Sequence, residues 1–308
     1  MLEDVPRVLA KLKDMRERRI WPNGPRYLWT DAFGVVLLVS LFRKLNDERH
    51  LVEARAVVTE VDRVLGRTRG LRIGEASDRD GQYFHYLAMW IFALTRLGAI
   101  DPTYRSRAIQ IVKDIHPRFV DPEVGVFWKM REDLSGPYPG FGLGALDPFH
   151  GLLVYRLLAP RELADEIEQM AGLVERSYRT LEITQDLGLG MMLWTTSFFP
   201  NEAWAAHQRR RSLAMLDRLW IDPPGYFCRE PFQRDVKFAF TNYGVSLGLQ
   251  AAGVHPYRVT RLNGFFETFR SKDEYDAAAI THVMACTSLV PGEFLPRSHT
   301  LKFAHGGW

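Results

Sequence analysis

The chain of 308 residues lacks several features that mark common classes of protein. It has two cysteines, Cys228 and Cys286, which are too few for a disulfide scaffold and lack the CxxC spacing of a zinc site. The formal net charge of +3 is small, and the basic triplet 209–211 lies in a helical segment with an apolar opposite face, so no nucleic-acid partner is indicated. Neither a Gly-rich phosphate loop nor a metal-ligand cluster is visible, so we predict no nucleotide cofactor and no obligatory metal.

Long apolar runs are also missing. The longest charge-free run, 238–257, carries Asn242, Gln250 and His255 and is too polar for a membrane span. The N-terminal segment is charged and amphipathic, without the apolar core of a signal peptide. We therefore expect a soluble cytoplasmic protein with no membrane partner, and the sequence leaves its oligomeric state open.

What the sequence does contain is an alternation of apolar and amphipathic helical segments. An amphipathic segment at 4–18 comes first, and further amphipathic segments separate the apolar ones, which lie near 28–45, 78–98, 146–158, 186–199, 238–252 and 275–289. If the last apolar segment pairs with the first amphipathic one, the chain forms six helical hairpins. A helix that is apolar on all sides must be buried. We therefore predict an all-α fold, an α/α toroid of six helical hairpins forming a single domain over residues 1–308.

The loops that lead into the apolar segments share a small unit. GLRIGE at 70, GVFWKM at 125 and GYFCRE at 225 each have a glycine followed by alternating apolar and polar residues. This pattern is typical of a short strand or hairpin, and its recurrence indicates internal repetition. We expect short β-hairpin-like loops on one face of the toroid, where the inner helices begin.

Carboxylates recur at the same places, near the starts of the predicted inner helices. Helix N-termini carry unpaired N–H groups and a partial positive charge, so their convergence on a central cavity favours carboxylates and sugar oxygens there. Hydrolysis of a glycosidic bond uses two carboxyl groups that face each other across it. We assign this pair to Asp31 and Asp80, with Asp147 as the competing candidate. Helix capping is the alternative role for each, because Asp is a common N-cap residue.

Aromatic and histidine side chains accompany these carboxylates. Flat rings suit stacking on a pyranose, and Lys129 is placed to neutralise an acidic substrate or to act as a simple loop charge. His85 and His150 lie near first turns and His282 two turns into a helix, which permits a histidine acid/base mechanism or a structural role. The predicted substrate-binding residues are Trp29, Tyr83, His85, Trp128, Lys129, His150, Asn242 and Tyr243.

The segment YLWTDAFGVVLLVSLF at 27–42 has an aromatic residue and an aspartate ahead of an apolar run. Together with the alternating plan, it resembles the six-hairpin glycosidase superfamily, and specifically the first inner helix of the unsaturated glucuronyl and rhamnogalacturonyl hydrolases. The resemblance implies an α/α toroid in which Asp31 takes the place of the first functional aspartate. Asp80, at the start of the next inner helix, is the nearest counterpart of the second.

Four shorter signatures are similar to those of a group of bacterial and fungal proteins that has no assigned reaction. They are GLRIG at 70–74, GQYFHYL at 81–87, WKM followed by DLS at 128–135, and LDP followed by glycine at 146–151. This likeness covers most of the chain. In the last signature His150 stands where an acidic residue is expected.

These observations predict a carbohydrate-active enzyme, specifically a glycoside hydrolase that acts on a small saccharide with paired aspartates as acid and base. Two other functions remain open. One is a sugar epimerase or isomerase that resembles the N-acylglucosamine 2-epimerases, which also use an α/α toroid but rely on histidines. The other is a noncatalytic toroid that binds a saccharide or another metabolite.

Overall fold

The computed structural model describes residues 3–220, 238–270 and 274–296. Cys228 and the GYFCRE unit lie outside the described residues. Every apolar or amphipathic segment predicted from the sequence contains a helix. The helices are α1 (Val5–Glu17), α2 (Leu28–Leu45), α3 (Glu48–Leu65), α4 (Phe84–Gly98), α5 (Pro102–Phe119), α6 (Asp147–Leu158), α7 (Ala164–Ser177), α8 (Asp186–Thr196), α9 (Ala203–Leu219), α10 (Ala239–Ala252), α11 (Pro256–Thr268) and α12 (Ala279–Leu289).

The chain divides into two compact units, and the first is Arg16–Ser177. Within this unit α2 packs against α3 and α4, α4 packs against α5 and α6, and α6 packs against α7. The burial pattern separates the two kinds of helix. Residues 28–41 of α2 are all buried, whereas α3 buries only one face, which includes Ala54, Val58, Val61 and Leu65. Therefore α2, α4 and α6 form an inner row backed by α3, α5 and α7.

The second unit combines residues 1–15 with 178–308. Its described part repeats the plan, with α8, α10 and α12 in a row and α9 and α11 packed behind α8 and α10. The N-terminal segment joins the end of this row, because the backbone N–H of Asp4 donates to the carbonyl of Leu289 over 3.3 Å. Lys11 also forms an ion pair of 3.0 Å with Glu267 of α11. These contacts join the N-terminal segment to the ends of α11 and α12, and the predicted hairpin of the first amphipathic helix with the last apolar one stays a prediction.

The stretch before α4 departs from the sequence-based prediction. The pattern predicts that Asp80, Gln82 and Tyr83 form the first turn of that helix, but the helix begins only at Phe84. Gln82–Tyr83 is a short strand, β1, which pairs antiparallel with β4 (Lys129–Met130). The carboxylate of Asp80 accepts backbone N–H groups from its own loop and so stabilises a non-helical path.

Two of the three predicted loop units fall within the described residues. In the GVFWKM unit, β3 (Gly125–Val126) pairs with β2 (Val120–Asp121), and β4 follows. In the GLRIGE unit there is only one isolated bridge, between Gly66 and Leu71. No helix in the described ranges is both long enough and apolar enough to cross a bilayer.

Candidate active site

Asp31 is locked into a local network at the start of α2. Its Oδ1 accepts the indole N–H of Trp21 over 3.0 Å and lies 3.2 Å from a guanidinium nitrogen of Arg26. Its Oδ2 accepts the backbone N–H of Tyr27 over 3.3 Å. Burial raises the pKa of Asp31 to about 6, and the nearby Arg26 charge opposes that rise. Both carboxylate oxygens thus hold the turn at 21–27 against the helix.

Both carboxylate oxygens of Asp80 also have partners within their own loop. Its Oδ1 accepts the backbone N–H groups of Ile73, Gly74 and Gly81 over 3.1, 3.2 and 2.8 Å. Its Oδ2 lies 2.5 Å from Arg72 in an ion pair whose carboxylate side is fully buried. The predicted acid and base partners, Asp31 and Asp80, therefore have separate local partners. Their pairing across a glycosidic bond stays a prediction.

Asp147 is in a different state. It is the first residue of α6, and its side chain is 3% exposed. Its Oδ1 lies 3.9 Å from Nδ1 of His85, and its Oδ2 has no hydrogen-bond partner among the described residues. Oδ2 occupies space that a side chain at Gly144 would fill, since a Cβ there would lie 1.8 Å away. Burial raises the pKa of Asp147 well above its ordinary value and so favours the protonated form of this carboxyl group.

His85 is the second residue of α4 and lies among aromatic rings. The indole N–H of Trp128 donates to its Nδ1 over 3.2 Å. The Tyr83 ring is nearly parallel to the imidazole at 5.7 Å between centroids, and Tyr86 meets it edge-on at 4.6 Å. Burial, with a smaller effect from His150, lowers the pKa of His85 to about 3, although 21% of the side chain is exposed. The imidazole is therefore neutral and open to a ligand.

His150 lies one turn into α6, near Asp147 in sequence and buried. Burial lowers its pKa to about 4, so it is also neutral at pH 7. Asp147, one turn earlier in α6, has its Oδ1 3.9 Å from Nδ1 of His85, so His150 belongs to the same end of the α4–α6 pair. The N-terminal turns of the neighbouring helices α4 and α6 thus carry one buried carboxyl group with a raised pKa and two neutral imidazoles.

Aromatic side chains surround this group. Trp128 precedes β4 and is 39% exposed, and its ring lies nearly parallel to that of Tyr83 at 5.7 Å. Trp29, in the first turn of α2, lies 5.8 Å from the His85 ring, and its buried indole N–H has no hydrogen-bond partner among the described residues. The β1–β4 pairing fixes the arrangement, because it places Tyr83 opposite Lys129, the residue after Trp128.

Lys129 lies beneath these rings and does not face solvent. Its side chain is 2% exposed, and its Nζ lies 4.7 Å from the Tyr83 ring, 4.2 Å from Tyr138 and 4.8 Å from Phe141. It also donates a hydrogen bond to the carbonyl of Arg79. The ammonium group thus has protein partners in an aromatic cage. Neutralisation of a substrate charge by Lys129 stays a prediction.

Two predicted binding residues, Asn242 and Tyr243, belong to α10 in the other unit. Asn242 is fully buried and donates from Nδ2 to the carbonyl of Phe238 over 2.9 Å. Tyr243 is buried, with its ring 6.2 Å from Phe266. His282 lies in α12 of the same unit. The residues that the first unit brings together are Trp29, Tyr83, His85, Trp128, Asp147 and His150.

The sequence-based prediction missed Tyr86, whose hydroxyl lies 2.6 Å from that of Tyr27 and whose ring contacts His85. Its only signal was its place next to His85 at the polar end of an apolar helix. Gly144 was also missed, because nothing in the sequence indicates that its lack of a side chain makes room for Asp147.

No protein-family model matches the chain, and no curated protein matches it in sequence. Solved structures do match. Cellobiose 2-epimerase from Bacillus thermoamylovorans B4167 aligns with a TM-score of 0.62 at 11% identity, over 86% of this chain and 88% of that one. The GH76A α-1,6-mannanase from Salegentibacter sp. HEL1_6 aligns with a TM-score of 0.64 at 10% identity, over 95% of this chain and 100% of that one.

A D-mannose isomerase aligns similarly, with a TM-score of 0.62 at 10% identity, over 94% of this chain and 98% of that one. These neighbours are α/α toroid enzymes, so the predicted fold class is confirmed. At such low identity the likeness shows the fold alone. The reaction has to be argued from the side chains of this chain.

Proposed function

We propose that this protein is a carbohydrate-active enzyme that epimerises or isomerises a reducing sugar by moving a proton at a carbon next to the carbonyl group. The observation that carries the proposal is the neutral imidazole of His85 3.9 Å from the buried carboxyl group of Asp147, with the neutral imidazole of His150 one turn further along α6. Two of the structural neighbours are named as an epimerase and an isomerase of sugars, which is consistent with such chemistry on this fold.

The proposed reaction divides into two proton transfers. A neutral imidazole accepts the proton when the C–H bond next to the carbonyl breaks, and the electron pair moves onto the carbonyl oxygen. We assign to Asp147 the stabilisation of that oxygen: its protonated form, which burial favours, donates a hydrogen bond to it. Return of a proton to the same carbon from the opposite face gives the epimer. Return to the former carbonyl carbon, with transfer of the neighbouring hydroxyl proton to the former carbonyl oxygen, gives the isomer. No oxidant or reductant is consumed.

The charge of the site supports a neutral sugar as substrate. The imidazoles of His85 and His150 are uncharged at neutral pH, burial favours the uncharged form of Asp147, and the nearby ammonium of Lys129 is already enclosed by rings. An acidic sugar would therefore find no open cation among these residues. The exposed ring of Trp128 offers a flat apolar surface, which suits a pyranose face.

A glycoside hydrolase is the second candidate, and the raised pKa of Asp147 favours it. A carboxyl group with a raised pKa is what protonation of a glycosidic oxygen requires. The mechanism also needs a second carboxylate, for which Asp31 and Asp80 remain the predicted candidates. In one mannanase neighbour, variants described as inactive carry replacements of two consecutive aspartates. This sequence contains no Asp-Asp pair, so that arrangement has no direct counterpart.

Incubation with candidate sugars in deuterium oxide separates the two reactions. Cellobiose, mannose and α-1,6-linked mannotriose would each be followed by NMR. Epimerisation or isomerisation produces a new sugar that carries deuterium at the reacting carbon, whereas hydrolysis produces shorter sugars without it. Retention of every substrate unchanged over a broad panel of reducing sugars and oligosaccharides would contradict both candidates.

The residue assignment is tested with His85→Gln, His150→Gln and Asp147→Asn. We expect each to lower kcat by about 100-fold or more, which is the usual loss when an acid or base group is removed. The matched control is His116→Gln. His116 is also buried in this unit, but its imidazole contacts Gln169 over 3.1 Å on the outer helices α5 and α7. Full activity in the three site variants would refute the assignment.

A further inference from the structure

The hydrogen bond from Trp128 to His85 determines which ring nitrogen of His85 carries the proton. An indole nitrogen is a donor only, so the nitrogen that faces it over 3.2 Å must be an acceptor. Nδ1 of His85 therefore carries no proton. Since the ring is neutral, its single proton lies on Nε2.

The alternative partner for Nδ1 is Asp147, and it is too distant. Its Oδ1 lies 3.9 Å away, beyond hydrogen-bond length, whereas the indole lies within it. Trp128 is in turn held by the backbone of its loop. Its N–H donates to the carbonyl of Gly142 over 3.0 Å, and its own carbonyl accepts the N–H of Phe84 over 3.1 Å. The indole is thus fixed against the first turn of the helix that carries His85.

We propose that Trp128 is a positioning residue that holds His85 in the tautomer with its proton on Nε2. This assignment rests on the proposed function and deepens it. His85 then donates a hydrogen bond to a sugar oxygen through Nε2 and is unable to act as the resting base. The first proton from carbon passes to His150, the other neutral imidazole of the site. Trp128 thereby sets the direction of proton transfer, in addition to offering its exposed ring to the sugar.

The tautomer is measured without any substrate. In protein labelled with ¹⁵N at histidine, long-range ¹H–¹⁵N correlation spectra distinguish protonated from unprotonated ring nitrogens, and the His85→Gln variant identifies the His85 signals. In the wild type we expect Nδ1 at the unprotonated position and Nε2 at the protonated one. Trp128→Phe keeps a ring but removes the N–H. We expect the Nδ1 signal to move toward the protonated position in that variant.

The control is Trp29→Phe. The Trp29 ring also contacts His85, but its indole N–H makes no hydrogen bond to the imidazole. The Nδ1 signal should not move in this variant. A proton on Nδ1 in the wild type, or equal spectra for wild type and Trp128→Phe, would overturn the proposal.

Once a substrate is known, steady-state kinetics of Trp128→Phe test the positioning role a second time. Because Trp128→Phe retains a stacking ring, we expect kcat to fall by roughly 10- to 100-fold with little change in KM. A rise in KM with unchanged kcat would mean that Trp128 only binds sugar, and would overturn the positioning role. Absence of activity on every sugar would contradict the proposed function, while the NMR result would still decide the tautomer.

Discussion

Replacement of Asp80 by alanine tests whether this carboxylate stabilises the fold or performs chemistry. The side chain is fully buried and accepts three backbone N–H groups besides its ion pair with Arg72. Removal of one member of a buried ion pair costs about 3–5 kcal/mol. Each buried N–H left without an acceptor adds about 1–3 kcal/mol, although relaxation and water reduce that sum. We therefore expect Asp80→Ala to lose roughly 4 kcal/mol of unfolding free energy, a large share of the ~5–15 kcal/mol typical of a domain.

The measurement is urea unfolding followed by circular dichroism, with Asp78→Ala as the control. Asp78 lies in the same loop, but its side chain is 80% exposed. We expect the control to unfold at the wild-type midpoint. If Asp80→Ala also unfolds like the wild type but has lost turnover on an identified sugar, the structural role is refuted. The carboxylate would then take the catalytic place that its position in the sequence predicts.

Two further predictions concern stability. The pKa of His85 in the folded protein, about 3, lies below its ordinary value of 6.5, so the unfolded chain binds more protons between these two pH values. The free energy of unfolding therefore decreases as the pH falls from 6.5 to 3, by at most about 1.4 kcal/mol per pH unit. His85→Gln should make this decrease shallower in urea titrations at several pH values, and an unchanged slope would contradict the buried neutral state. Gly34→Ala should cost about 1–3 kcal/mol because its Cβ would lie 2.1 Å from the buried Trp21 ring. Gly264→Ala, in a helix with open space around it, should be neutral or stabilising by about 0.5–1 kcal/mol, and equal urea midpoints for the two variants would count against close packing at Gly34.

The order of inner and outer helices was predictable because a helix that is buried on all sides is apolar on all sides, whereas a helix buried on one face is apolar only there. α2 is apolar throughout residues 32–39, and α3 is apolar along one face, so the sequence distinguishes inner from outer helices before any coordinates are known. The start of α4 was not predictable in the same way. Apolar periodicity does not reveal that Gln82 and Tyr83 pair with a strand about 45 residues later in the chain, since that depends on the path of a loop.

The candidate site shows where sequence reasoning ends. Asp31, Asp80 and Asp147 occupy similar places in the repeating pattern, close to the start of an inner helix. The first two have their oxygens filled by local donors, whereas Asp147 retains an oxygen without a partner among the described residues. The difference comes from neighbours supplied by loops: Trp21 and Arg26 for Asp31, and residues 72–81 for Asp80. A carboxylate that already has its donors stabilises a fold, while burial without donors raises the pKa of a carboxyl group and leaves an oxygen that a ligand could bind. The sequence therefore predicts where these aspartates lie along the helices. Whether each one stabilises the fold or is a candidate for chemistry depends on the hydrogen bonds of the folded loops.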